Sequence, residues 1–326
     1  MSRLICEKCE KELDPKTIVA NNVYSCQKCG LVEAIQSKNN SINEVNKEDL
    51  SKYYLNEEQT VFLSLSEGTA VMEGNGKINK QLWKDFKEEL GLRKYNIEIK
   101  ENIQLPDDCS SIFRDFEKEI NIDQNIDTSN ITNMRSMFNE ANLANPNTSG
   151  WNTSNVTDMS YMFHGANSAN PDTNNWDVSN VKNMSNMFSW TKLANPDTSN
   201  WETSNVTDMS SMFYHAKSAR PDTSNWNVSN VENMYSMFRG ASSANPDTRD
   251  WDVSKVASMY YMFAEATSAN PDTSKWDISN VKNMSSMFKG AKSANPNTSN
   301  WDVSNVANTS RMFLNSAYTG RPLRDD

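Results

Sequence analysis

From about residue 126 onward the apolar positions recur in a fixed register. Trp151, Trp176, Trp201, Trp226, Trp251, Trp276 and Trp301 stand 25 residues apart without an insertion. Two methionine columns share the period, Met134 to Met284 and Met137 to Met312, and together they hold 15 of the 17 methionines. A phenylalanine column runs from Phe138 to Phe313, and seven of the ten prolines form another from Pro146 to Pro296. Self-similarity at a period between 20 and 50 residues marks a repeat protein.

Residues 170–194 show what one unit predicts. Val181, Met184, Met187 and Phe188 fall on one face of a short helix, with Ser179 or Asn180 to cap it, and Thr173, Trp176 and Val178 give an extended stretch after an Asn-Pro-Asp turn. One strand and one short helix per unit predict an α/β repeat solenoid, leucine-rich-repeat-like, with a 25-residue period. A unit cannot stand alone, because ordering costs about 1.5 kcal/mol per residue and far exceeds what one buried Trp returns. Stacking brings the columns together, and eight or nine coils at about 4.8 Å make a body roughly 40 Å long.

The pattern weakens toward the N-terminus. Ile126 takes the Trp place, and Cys109, Ile112 and Phe113 fill the Met-Phe segment one frame earlier, so residues 58–125 are expected to hold a small α+β cap with a degenerate first coil. Within it, 60–65 and 69–73 read as strands joined at Glu67-Gly68, 80–92 as an amphipathic helix, and 95–99 as a strand. Residues 37–57, rich in Asn, Lys, Glu and Ser, read as a linker. The solenoid is expected over 126–320 and a polar tail over 321–326.

Composition alone points the other way. Leu, Ile, Val and Phe make up 58 of 326 residues in a chain of net charge −10, which falls in the range of disordered polymers. The register outweighs composition, because the sparse hydrophobes are concentrated in columns. No 18 apolar residues run together, which excludes a membrane-spanning helix. Met1–Glu12 has no basic region followed by an apolar one, which predicts a cytosolic start without a cleaved signal. The acidic balance argues against a protein that wraps nucleic acid. With two histidines, no nucleophile–base pair and no open metal site in the pattern, the chain does not read as an enzyme.

Four of the five cysteines form Cys6-x2-Cys9 and Cys26-x2-Cys29, separated by sixteen residues. This is four-thiolate zinc spacing, and residues 1–36 read as a zinc ribbon with a hairpin between the pairs, turning at Asn21-Asn22. Four protein ligands leave no open position, so the zinc is structural. Two disulfides are the alternative. The ribbon's five basic and five acidic residues cancel, favouring a folding or docking module over a nucleic-acid reader.

Segments such as residues 151–163, Trp-Asn-Thr-Ser-Asn-Val-Thr-Asp-Met-Ser-Tyr-Met-Phe, resemble the repeats of BspA-like leucine-rich-repeat surface proteins, a family related to mycoplasma surface lipoprotein repeats. The resemblance covers about residues 101–320 and recurs seven times. It implies adhesion or protein binding at a bacterial surface. Residues 1–36 in turn resemble the zinc ribbons at the front of many bacterial proteins. The missing export signal and the ribbon depart from the surface-protein pattern.

The remaining columns have plain readings. Methionines at helical spacing beside a Phe column are core before they are copper ligands, and the Trp column is core before it is a stacking platform. Asp172, Asp197, Asp222, Asp247 and Asp272 cap backbone N–H groups without needing calcium. Asn155, Asn180, Asn205, Asn230, Asn280 and Asn305 form a hydrogen-bonding ladder broken by Lys255, and Cys109 is a buried thiol. The pair after each Phe varies freely and is expected to face solvent. Trp190, Tyr214, His215 and Arg239 on that ridge are the expected hot spots for a protein partner. A nucleic-acid-associated regulator acting through the ribbon and an exported effector are the alternatives.

Overall fold

The computed structural model describes residues 52–321 and 323, together with the backbone of four short strands nearer the N-terminus. Those strands are β1 (Leu4–Cys6), β2 (Ile18–Ala20), β3 (Val23–Cys26) and β4 (Gly30–Gln36), in an antiparallel sheet of order β1-β4-β3-β2. β2 and β3 form the expected hairpin, with Ile18 opposite Tyr24. Cys9, Cys29 and the side chains of Cys6 and Cys26 lie outside the described residues.

A second sheet begins at β5 (Lys52–Tyr54) and continues through β6 (Val61–Ser66), β7 (Thr69–Gly74), β9 (Asn96–Ile99) and β11 (Ile120–Ile122), in the order β11-β9-β7-β6-β5. The short strands β8 (Gly76–Lys77) and β10 (Ile103–Gln104) pair parallel beside it. β5 corrects the end of the linker expected over 37–57, whose residues 37–51 lie outside the described residues. Its average composition hid the run Tyr53-Tyr54-Leu55, in which Leu55 is fully buried and Tyr53 packs edge-on against Phe86 at 5.5 Å. Strands β6, β7 and β9 fall where the alternation placed them.

Helix α1 (Lys80–Glu89) starts at Asn79, whose side chain accepts from the N–H groups of Gln81 and Leu82. It ends before the expected residue 92 because Gly91 takes a left-handed φ of 62° and opens a 3-10 turn over Leu92–Lys94. Its inner face closes the first coil of the repeats. The Trp83 indole N–H donates to Ile112 O at 2.8 Å, and its ring stacks on Phe116. Cys109 is buried in that first coil with its thiol 3.1 Å from Pro106 O, and burial pushes its pKa far above the ordinary range.

From Asp108 to Asn308 eight successive parallel bridges join residues 25 apart. Trp176, Val181, Met184, Met187 and Phe188 of one coil, and their equivalents, are buried in a continuous core. The indoles of Trp151 to Trp301 stack at centroid spacings of 6.2–6.5 Å. The Met and Trp columns are therefore core.

The expected short helix is absent, and with it the strand-plus-helix form of the α/β solenoid. No helix or extended strand occurs among the described residues beyond β11. In its place is a run of turns. The N–H groups of Met184, Asn186, Phe188 and Trp190 donate to Asp208, Ser210, Met212 and Tyr214 of the next coil, while those of Met187 and Ser189 close turns on Met184 and Asn186. Asn186 and Trp190 adopt left-handed φ of 57° and 60°. A helix would need the same N–H groups for its own carbonyls, and Asn183 Oδ1 already holds the Ser185 N–H. So short a helix is marginal alone, and the inter-coil bonds win.

Polar ladders finish the coils. Thr148, Thr173, Thr198, Thr223 and Thr248 are buried, and each hydroxyl donates to the carbonyl 24 residues ahead at 2.6–2.7 Å. The indoles of Trp176, Trp201, Trp226, Trp251 and Trp276 donate back to Thr carbonyls at 3.3–3.5 Å. Asn155, Asn180, Asn205, Asn230 and Asn280 donate to Ser carbonyls of the preceding coil, and Lys255 instead reaches Asn230 Oδ1. Asp197, Asp222 and Asp272 each accept the backbone N–H and hydroxyl of the Ser two residues on, the capping role expected of that column.

Candidate functional site

The turn run ends at the second residue of the pair that follows each Phe, and there the backbone restricts the sequence. Glu140, Gly165, Trp190, His215, Gly240, Glu265, Gly290 and Asn315 all have positive φ. Only glycine takes this conformation without cost, which explains three glycines in one column. Free variation at that position is therefore a correction to the sequence reading. So is solvent exposure of the position before it, since Ser189 and Ala264 are fully buried.

The four expected hot spots touch one another. Trp190 is 48% exposed and stacks on His215 with ring centroids 4.3 Å apart. Tyr214 meets Trp190 edge-on at 5.4 Å, and its ring lies 4.5 Å from that of His215. The Arg239 guanidinium sits over the Tyr214 ring at 5.5 Å and over Tyr261 at 4.2 Å. Tyr214, His215 and Arg239 are consequently half-buried, each partly covered by the others.

The cluster extends further than the sequence reading took it. Tyr261 packs on Tyr260 at 4.1 Å, and Tyr260 on Tyr235 at 5.6 Å, with Tyr235 39% exposed. These tyrosines stand between the Met columns, where most coils have Ser, so the departure from Ser was the available signal. A smaller copy of the Arg239–Tyr261 contact lies four coils earlier, where Arg135 covers Tyr161, and Tyr161 meets His164.

Burial lowers the His215 pKa, opposed by Glu265 and reinforced by Arg239 and Lys217. Burial likewise lowers that of His164, opposed by Glu140 and reinforced by Arg114. Both imidazoles are thus held toward the neutral form at neutral pH. The site offers ring faces and edges, N–H donors and one guanidinium, the chemistry of recognition surfaces. Among the described residues no cluster of His, Cys, Asp and Glu could hold a metal ion, and no helix is long and apolar enough to cross a membrane.

Fold and site together define a stacked-coil repeat protein with an aromatic ridge along its turns. The chain belongs to the family described as Mycoplasma protein of unknown function, DUF285, which matches residues 107–226 and 217–324. That match begins at the degenerate first coil. A crystal structure of a leucine-rich repeat protein from Eubacterium ventriosum aligns over 83% of this chain and 96% of its own, at 10% identity and a TM-score of 0.28. So low a score carries no argument, and the fold rests on the coil geometry itself. Curated proteins give no match.

Proposed function

We propose that the chain is a non-enzymatic interaction scaffold that docks a partner protein through the ridge of Trp190, Tyr214, His215 and Arg239. The observation that carries this reading is the exposed Trp190, held at a left-handed φ of 60° where three other coils place glycine. A large apolar ring at a strained and exposed position adds little to the stack, whereas aromatic and Arg side chains dominate binding energy at interfaces. Cys6, Cys9, Cys26 and Cys29 would hold a structural zinc, with the ribbon as an accessory folding or docking module. The resemblance to BspA-like repeats favours a partner met at the cell surface, which protease shaving of intact cells tests. Photo-crosslinking from position 190 identifies the partner. Exchange of the four ridge residues for Ala should then lower its affinity by at least about 100-fold, as two or more hot spots lost together would. Unchanged affinity rejects the reading.

A further inference from the structure

The ridge lies on a strip whose charge is opposite to that of the rest of the coils. The turn runs taken with the short turn that follows each, residues 135–143 and their equivalents through 310–318, carry seven Lys or Arg side chains and two carboxylates, Glu140 and Glu265. The remaining stretches of the same coils, from residue 126, carry six Lys or Arg against fifteen carboxylates. In a chain of net charge −10 the coils therefore present a cationic strip, and the aromatic cluster sits on it.

Glu140 and Glu265 bracket a window. The four such segments between them contain no carboxylate and hold Lys192, Lys217 and Arg239. At about 4.8 Å per coil the window is about 19 Å long, the span of about six extended residues at roughly 3.4 Å each. Arg239 makes no ion pair among the described residues, and its buried Nε has no hydrogen-bond partner. Its cation is oriented by Tyr214 and Tyr261 but not neutralised.

We propose that this window binds a short, extended, acidic segment of a partner protein, with Arg239 taking a carboxylate. The proposal rests on the reading of the ridge as a protein-docking surface and supplies the partner's chemistry. A guanidinium presents its N–H edge to a carboxylate in a planar fork, and cationic strips of this kind steer acidic partners. A single-stranded nucleic acid fits less well. It needs ring faces free to stack on bases, and here Trp190, His215, Tyr214, Tyr260 and Tyr261 are packed on one another. A continuous phosphate track would also meet a carboxylate at each end of the window.

The test titrates the full chain with fluorescein-labelled hexaglutamate and, separately, labelled hexathymidylate, reading anisotropy at about 10 mM salt, where the screening length is about 30 Å. Hexaglutamate should bind, and bind more tightly than hexathymidylate. Arg239→Gln and Lys217→Gln should each weaken it roughly two- to fivefold, while Lys182→Gln, outside the strip, leaves it unchanged. Glu140→Gln and Glu265→Gln should each tighten binding by a similar factor, a gain that misfolding cannot produce. Absence of hexaglutamate binding, tighter binding of hexathymidylate, or equal weakening by Lys182→Gln overturns the proposal. If the crosslinked partner is lost with the four Ala exchanges while hexaglutamate does not bind, the docking surface stands and the acidic class falls.

Discussion

The His215 imidazole fills the space above Gly240, where an added Cβ would come within 2.3 Å of its Nδ1. His215 is in turn stacked under Trp190, so three successive coils form one unit of the ridge. Gly240→Ala should displace the imidazole, strain a backbone at φ 69°, and cost about 1–3 kcal/mol. A urea titration checks the stability, and changed Trp emission from the exposed Trp190 checks the coupling. Unaltered emission and midpoint would mean that the ring moves aside freely.

Ser236 makes the opposite case. It is 1% exposed, its hydroxyl has no partner, and its φ is 52°. Ser236→Gly removes a buried unsatisfied group and a left-handed penalty together, against a larger loss of chain entropy. A net gain of about 1 kcal/mol is expected, seen as a raised urea midpoint.

Thr198 tests the inner ladder. Its hydroxyl donates to Asp222 O at 2.6 Å from a fully buried position. Thr198→Val keeps the shape and orphans the carbonyl, so a loss of about 1–3 kcal/mol is expected. Valine at this position in an exposed turn would change almost nothing, and thermal melts of the two chains distinguish the cases.

Stability should fall with acid in two separate windows. His164 and His215 have folded pKa values below the ordinary 6.5, so the unfolded chain binds more protons and stability is complete only above about that pH. It declines as pH falls below 6.5 through the folded values. Asp127, Asp222 and Asp272 are held below 3.8 by Ser hydroxyls and N–H groups, and their contribution is lost only as pH falls below that value. Urea midpoints from pH 8 to 3 should show both steps. Replacing both histidines with Gln should remove the upper one alone.

Metal analysis decides the cysteines. One zinc per chain is expected, lost on Cys26→Ser or with a strong chelator, while the melting of the coils persists because their core is continuous without the ribbon. Four cysteines inert to a thiol reagent until reduced, with no zinc, would establish the disulfide alternative.

The register of the core was legible because Trp and Phe each occupy one column and Met two, and a buried column of like residues has no other use. The α1 cap was legible from Leu82, Trp83, Phe86 and Leu90 at helical spacing. The helix expected at Val181–Phe188 failed for a specific reason: the same spacing serves turns whose alternate N–H groups reach the next coil. Side-chain periodicity does not report where N–H groups go. Thr173 and its equivalents looked like strand residues because a buried hydroxyl is betrayed only by its unvarying column. Trp190, Tyr214, His215 and Arg239 stood out as departures from a constant background, while Tyr260 and Tyr261 were passed over beside the Met columns. β5 was lost in the average composition of its neighbours.

The left-handed column also bears on how such a chain can grow. Glu140 leans over Gly165, His215 over Gly240 and Glu265 over Gly290, so three bulky coils are each followed by one that receives them, while Trp190 meets the His215 ring instead. Every coil matches the next in backbone donors and acceptors, but not in this respect. A gene that copied the His215 coil alone would set one imidazole against another, whereas copying it with the Gly240 coil preserves the fit. For those three steps the unit that can be copied without a clash is the pair of coils, twice the period read from the tryptophans.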